Sequence, residues 1–363
     1  MNKLLPLAIL TAVLSLTLIS SASSPGFGGR AAAVQVRVPA TGATITLADS
    51  GPVAASGGGV GAALLAASIP SGQTAGLVSL AAGTLHSAVV GLVGTDAEAS
   101  LANVSLTISG NGVTVDFLMA RSTAGCGAGP AVAGSSQLAN LVINGQAIAI
   151  TGAPNQAVAL PNGSAIINEQ LPSVAGGSAQ LTVNALHVTT RDALTGQPLA
   201  DVVLATADTE IQCQTGSALS AQTAWAQSTE PEFGSGGGWI FTSGGKGTFG
   251  FVAGIQADGT PTGHLVYVDH GIDFSVESTS ITRVTPGSDS CTSTIEGDGT
   301  SNGAPVQFRI TVHDGGEPGR SDTLQIDVAG AASYTASGPL AGGNIEIDGS
   351  FAGGKVLAHG HAC

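Results

Sequence analysis

Residues 306–328 read VQFRITVHDGGEPGRSDTLQIDV. Val306, Phe308, Ile310 and Val312 alternate with Gln307, Arg309, Thr311 and His313. Beyond a Gly/Pro tip, Leu324, Ile326 and Val328 alternate with Gln325 and Asp327. A period of two puts one side of a strand in a core and the other in water, so the two runs predict a β-hairpin. The tip, residues 314–320, has the glycines, proline and acids that turns require. The same grammar recurs along the chain, with short Val/Ile/Thr/Ala runs cut by glycine-bearing turns at roughly ten-residue intervals. It predicts an all-β protein: two β-sandwich or jelly-roll-like domains joined by a flexible linker.

The chain has 363 residues, room for two domains. Its 54 glycines lack a Gly-X-Y period, which excludes collagen, and 43% apolar content without charge runs excludes a disordered chain. The formal net charge of −14 repels nucleic acid and anionic membranes, so neither is an expected partner.

Residues 1–22 have the form of a secretory signal peptide: Lys3, an apolar run over 4–19 and small residues at 20–22. The run falls short of the ~20 residues a spanning helix needs, and Pro6 interrupts it. Export to the cell envelope or exterior is therefore expected, without a transmembrane anchor after cleavage. In that compartment Cys126, Cys213, Cys291 and Cys363 are expected to form disulfides. Three pairings are possible. The domain organisation favours Cys126–Cys213 and, less strongly, Cys291–Cys363.

Taken in order, the chain predicts a loose segment over 23–29 and a strand pair over 32–47. Residues 60–69 fit either a helix or a buried strand. Hairpins are expected around residues 109–112 and Asn144-Gly145. Val113, Val115, Phe117 and Met119 alternate as one face, and Leu181, Val183, Ala185 and His187 as another. The first domain spans 30–213. Residues 214–237, rich in Gln, Ser, Thr and Gly, read as the linker, with Trp225 in it. A second domain spans 238–351, followed by a tail over 352–363.

Two groups of residues resemble a known family. ARSTAGC at 120–126, INEQ at 167–170 and VNALHV at 183–188 resemble the choice-of-anchor P family of exported bacterial proteins. GKGTFGF at 245–251, GHLVYVDHG at 263–271 and GEPGRSD at 316–322 resemble the domain that often follows it. The resemblance implies export and a surface setting. It carries no catalytic residue, and the C-terminus lacks the hydrophobic span of anchored members.

Several polar groups are candidate sites. At the hairpin tip, His313, Asp314, Glu317 and Asp322 offer oxygen ligands beside glycines and could hold calcium. A turn capped by aspartates, with an Arg320 ion pair, explains the same residues. Glu296, Asp298 and Asn302 repeat that choice, with a plain polar turn favoured. His264 and His270 share a strand face about 20 Å apart, too far for one metal, while Asp269, His270 and Asp273 fit a hydrogen-bonded turn. His359, His361 and Cys363 have the alternate spacing of soft-metal ligands, although a disulfide competes for the thiol. His187 fits a satisfied core histidine.

No G-x-S-x-G, H-E-x-x-H or P-loop occurs. The expectation is an exported, non-enzymatic structural or adhesion protein without a cofactor. Surface glycans or other surface proteins are its candidate partners; a carbohydrate- or calcium-binding module is the alternative, and a hydrolase with an unrecognised site the third reading.

Overall fold

The computed structural model describes residues 26–213, 232–256, 258–289 and 291–348. Apart from one 3₁₀ turn at Ser71–Thr74, the regular structure is β. The first domain holds β1 (Gly26–Val38), β2 (Ala43–Asp49), β3 (Gly58–Leu64), β4 (Ala67–Ile69), β5 (Val78–Ala82), β6 (Leu85–Gly91), β7 (Thr95–Ile108) and β8 (Asn111–Cys126). It continues with β9 (Pro130–Ala139), β10 (Val142–Ile143), β11 (Gln146–Ala147), β12 (Gln156–Leu160), β13 (Gly163–Ala175), β14 (Ser178–Arg191) and β15 (Pro198–Gln212). The second holds β16 (Glu232–Phe241), β17 (Lys246–Ile255), β18 (Pro261–Asp269), β19 (Phe274–Pro286), β20 (Thr292–Ser301), β21 (Ala304–His313), β22 (Thr323–Gly330) and β23 (Tyr334–Asp348).

The first domain is a sandwich. A six-stranded sheet in the order β12-β13-β14-β15-β1-β2 packs on a nine-stranded sheet built around β6, β7 and β8. Their inner faces share one Val/Leu/Ala core. The second domain differs from the expected sandwich. Its eight strands form a closed antiparallel barrel in sequence order, with β23 pairing back onto β16. An eight-stranded barrel has an interior that side chains can fill, and closure removes the exposed edges of an open sheet. Phe249, Phe251, Tyr267, Phe308, Ile310 and Ile326 are among those filling it.

The hairpin over 306–328 forms in the expected register, with Phe308 opposite Val328, Ile310 opposite Ile326 and Val312 opposite Leu324. Ser109-Gly110 and Asn144-Gly145 both have positive φ, as two-residue hairpin loops of this chemistry require.

Alternation fails at a definite place. Ala48 on β2, Ala205 on β15 and Asn168 on β13 have φ of 45°, 53° and 53°. The registers on either side put Ala33 of β1 between Ala48 and Ala205, and Ala185 of β14 between Ala205 and Asn168. A single row of left-handed residues on alternate strands therefore creases the whole sheet. Across the crease the inward positions change parity. Ala31 and Ala33 give way to Val34 and Val36, and Val183 and Ala185 give way to Leu186 and Val188. Asn103, at φ 52°, interrupts the β7–β8 ladder opposite Asp116 in the same way. Val113 and Val115 thus face the sandwich core, whereas Phe117 and Met119 face outward against Trp239 of the barrel. The four do not share one face.

Two loop expectations become strand: residues 26–29 belong to β1, and the glycine-rich 232–237 open β16 rather than close a linker. Of the two options for 60–69 the strand is the one formed, as β3 over 58–64 and β4 over 67–69. These glycines serve close approach. A Cβ on Gly59 would lie 2.4 Å from the Phe233 ring, and one on Gly237 would lie 2.4 Å from Ser100 Oγ, each a contact between the two domains. Gly250 of β17 makes a third such contact, because its Cβ would meet the Cβ of buried His86 at 2.4 Å. Gly250→Ala is expected to cost about 2–3 kcal/mol through overpacking, read as a lower urea midpoint at unchanged m-value.

Candidate functional site

The nine-stranded sheet is covered on both faces. Its outer face meets the barrel, and β6, β7 and β8 put His86, Glu98 and Arg121 on that face. Two apolar patches flank these three residues. Ala88 and Val90 pack on Phe233 and Val252, and Ala102, Phe117 and Met119 pack near Trp239. The seam between the domains is thus apolar at its sides and ionisable at its centre.

The central groups form a continuous chain of contacts. His264 Nε2 of β18 lies 3.3 Å from His86 Nδ1, and His86 Nε2 lies 3.0 Å from Glu98 Oε1. The ring centroids of the two histidines are 5.4 Å apart. His86 has no exposed side-chain surface and Glu98 has 4%. Burial pushes the histidines down to about 3 and Glu98 up to about 8. Glu346 and Glu317 push Glu98 the same way, while Arg121 opposes them. With Glu98 protonated, its hydroxyl can donate to His86 Nε2 while His86 Nδ1–H donates to His264 Nε2; the reverse relay, from His264 through His86 to a Glu98 oxygen, fits the same two distances.

Arg121 clamps the domains. Its Nη1 donates to Glu317 and its Nη2 to Glu346, both barrel residues. Burial alone would lower the Arg121 pKa, but Glu346 and Glu317 hold it above its usual value. Around this centre, Thr84 Oγ1 lies 2.6 Å from Thr248 Oγ1, and Thr248 lies 2.9 Å from His270 Nε2. The Gln137 amide accepts from Gly343 N at 3.0 Å. A recess of about 360 Å³ opens beside the seam, lined by Ser50, Gly59, Gly61, Phe233, Thr262 and His264.

The hairpin-tip residues have individual partners. Asp314 accepts from Gly316 N at 2.9 Å and Ile347 N at 3.3 Å, and Asp322 accepts from Gly315 N at 2.9 Å and Ile345 N at 2.7 Å. The two aspartates staple the tip to β23. Burial raises Asp322 to about 6 against these amides. Glu317 goes to Arg121, and His313 Nδ1 lies 3.1 Å from Thr292 Oγ1. The carboxylates a calcium cage would need are engaged by amides and a guanidinium. Among the described residues, no three His, Cys, Asp or Glu side chains are grouped to hold a metal ion. The expected aspartate caps are present, but Arg320 is exposed and the ion pair is made by Arg121 of the other domain.

The remaining candidates separate likewise. Glu296 and Asp298 lie on β20 rather than in a turn, where Glu296 accepts from Arg309 at 2.6 and 2.9 Å. Asn302 bonds Ser275. Asp269 accepts from Tyr334 at 2.8 Å and from Gly271 N at 2.9 Å. Trp239 is covered by Lys246, 4.6 Å above its ring, so it offers no bare platform for a sugar. Trp225, His359, His361 and Cys363 lie outside the described residues, and with them the Cys291–Cys363 pairing. Cys126–Cys213 is formed.

No family model matches the chain, and no curated protein matches it. A crystal structure from Nitrosomonas europaea, provisionally described as AttH, aligns with 89% of this chain and 92% of that one. The identity is 8% and the TM-score 0.21, which supports no statement about fold.

His187 is satisfied, but not in the core. The crease turns it to the outer face, where Glu169 lies at 2.7 Å and Asp201 at 3.1 Å. The Asp201 hydrogen bond raises its pKa against partial burial, with Glu169 adding to the rise. A raised folded-state value stabilises below about pH 6.5 and loses that contribution as pH climbs through the folded value. The stability gap between wild type and His187→Gln is expected to narrow from pH 5.5 to 8.5 in urea titrations; a constant gap would contradict this.

Proposed function

We propose that the protein is an exported, non-enzymatic structural or adhesion-type component of the cell surface or exterior, whose two domains are clamped together near neutral pH. The observation that carries the reading is how the ionisable groups of the seam are used. Arg121 pairs with Glu346 and His86 meets His264 across the domains, and Glu98 backs His86 from within its own domain. His86, Glu98, Arg121 and Glu346 are buried between two cores instead of converging on an open cleft. The filled barrel and the tight glycine contacts support the same conclusion. The Cys126–Cys213 disulfide and the signal-like residues 1–22 support export. No helix of the described residues is long and apolar enough to cross a membrane.

Fractionation of cells expressing an epitope-tagged chain tests the reading. The protein is expected in the envelope or medium, with Cys126 and Cys213 oxidised. Recovery in the cytosol with free thiols would overturn it.

A further inference from the structure

The His86–His264 contact joins the domains through two imidazoles, at least one of which must be neutral. One nitrogen donates and the other accepts, so a doubly protonated pair has no acceptor and sets two cations side by side where the His86 side chain has no exposed surface. We propose that this seam is a pH-operated latch: protonation of His86 and His264 releases the barrel from the sandwich, and ionisation of Glu98 loosens it from the alkaline side.

The groups facing the pair are few. β7 brings Glu98 against His86 and carries Asp96 two residues away. β8 brings Arg121, and β23 and the hairpin tip bring Glu346 and Glu317, all three acting on Glu98. β3, which closes over His264 at Gly61, has no titratable side chain, and β17 presents Gly250 and Val252. Glu277 lies on β19, beside β18 and opposite Val266. Among the described residues, the charged group that acts on His264 is His86 rather than a carboxylate.

The signs give a profile with a maximum. In the closed seam both histidines sit near 3, against about 6.5 when free. The open form therefore binds two extra protons as pH falls below 6.5. Glu98 acts oppositely, since the closed form keeps its proton up to about pH 8 against an ordinary 4.5. From pH 6.5 to 4.5 the difference is one proton, a tenfold shift toward opening per unit. Below 4.5 Glu98 is protonated in both forms and the slope rises to about a hundredfold per unit. Above 6.5 only Glu98 titrates, and opening gains about tenfold per unit toward pH 8. The latch is tightest near pH 6.5.

Small-angle scattering and amide exchange of β6 and β18 on the full chain, from pH 3.5 to 8.5, test this. Maximum compaction and protection are expected near pH 6.5, with expansion on the acid side. Glu98→Gln is expected to remove the alkaline limb and steepen the acid limb between 4.5 and 6.5. His86→Gln with His264→Gln is expected to flatten the acid limb. A compact wild type with unchanged protection down to pH 4 would overturn the proposal, as would a double variant that keeps the wild-type profile. Should the double variant not fold, imidazole carbon NMR of the wild type decides. His86 and His264 must stay neutral until expansion begins, and titration near pH 6.5 in the compact state refutes the latch.

Discussion

Replacing Arg121 by methionine is expected to destabilise the protein by about 3–5 kcal/mol at neutral pH, the cost of leaving a buried charge without its partner. The stranded charge is Glu346, whose side chain is 5% exposed. Glu317 is 39% exposed and can recover water, so Glu317→Gln is expected to cost only about 0–1 kcal/mol. The two substitutions separate the parts of the clamp. Because the damage lies in a buried carboxylate that has lost its guanidinium, Arg121→Met combined with Glu346→Gln is expected to regain much of the loss. Urea denaturation of the two single variants and the double gives the coupling energy. Strict additivity would show that the pair holds nothing together.

Arg121 also shows why the site was hidden in the sequence. Its partner Glu346 lies 225 residues away, and His264 lies 178 residues from His86. No local motif can carry such a constellation. Each residue does leave a faint mark, an ionisable side chain inside a strand that is otherwise apolar: LHSAVVG around His86, AEASLA around Glu98 and FLMARS around Arg121. A strand buried on both faces reads as continuous apolar sequence, and β6 is buried at every position. A charged residue there has to meet a partner on a second layer, and that requirement was legible. The barrel hairpin β21–β22 was legible in full because one face is core and the other water. The creases were not legible. Left-handed alanine costs energy that only the assembled sheet can offset, and nothing local marks Ala48 or Ala205. Reading across the crease sent His187 to the wrong face and joined Phe117 to Val115. Glycine misled differently. EFGSGGGWIF has linker composition, yet its glycines are what let β16 lie against Ser100 and the β23 backbone.

The disulfide supplies the second large effect, and it acts on a different part of the molecule. Cys126 ends β8 in one sheet, and Cys213 follows β15 in the other, so the bond ties the two layers of the sandwich at one end. It closes a loop over a sequence separation of 87 residues. In the chain-entropy model a loop of this length stabilises by about 4–5 kcal/mol, by restricting the unfolded chain. The native contacts nearby do not need the bond. Cys213 N donates to Gly177 O at 2.7 Å, and the β14–β15 ladder runs to its last residues without it. Cys126→Ser with Cys213→Ser is therefore expected to fold to the same structure with that much less stability. Its m-value should rise, because the unlinked chain exposes more surface on unfolding. A loss below about 1 kcal/mol at unchanged m-value would show that the unfolded chain keeps the two ends together without the bond. If instead the stability is lost but the β8 and β15 amides also lose protection in the folded variant, the bond is holding the two sheets in contact and the entropic account fails. Arg121→Met offers the control: its loss lies across the seam, so it should add to that of the cysteine pair with little coupling.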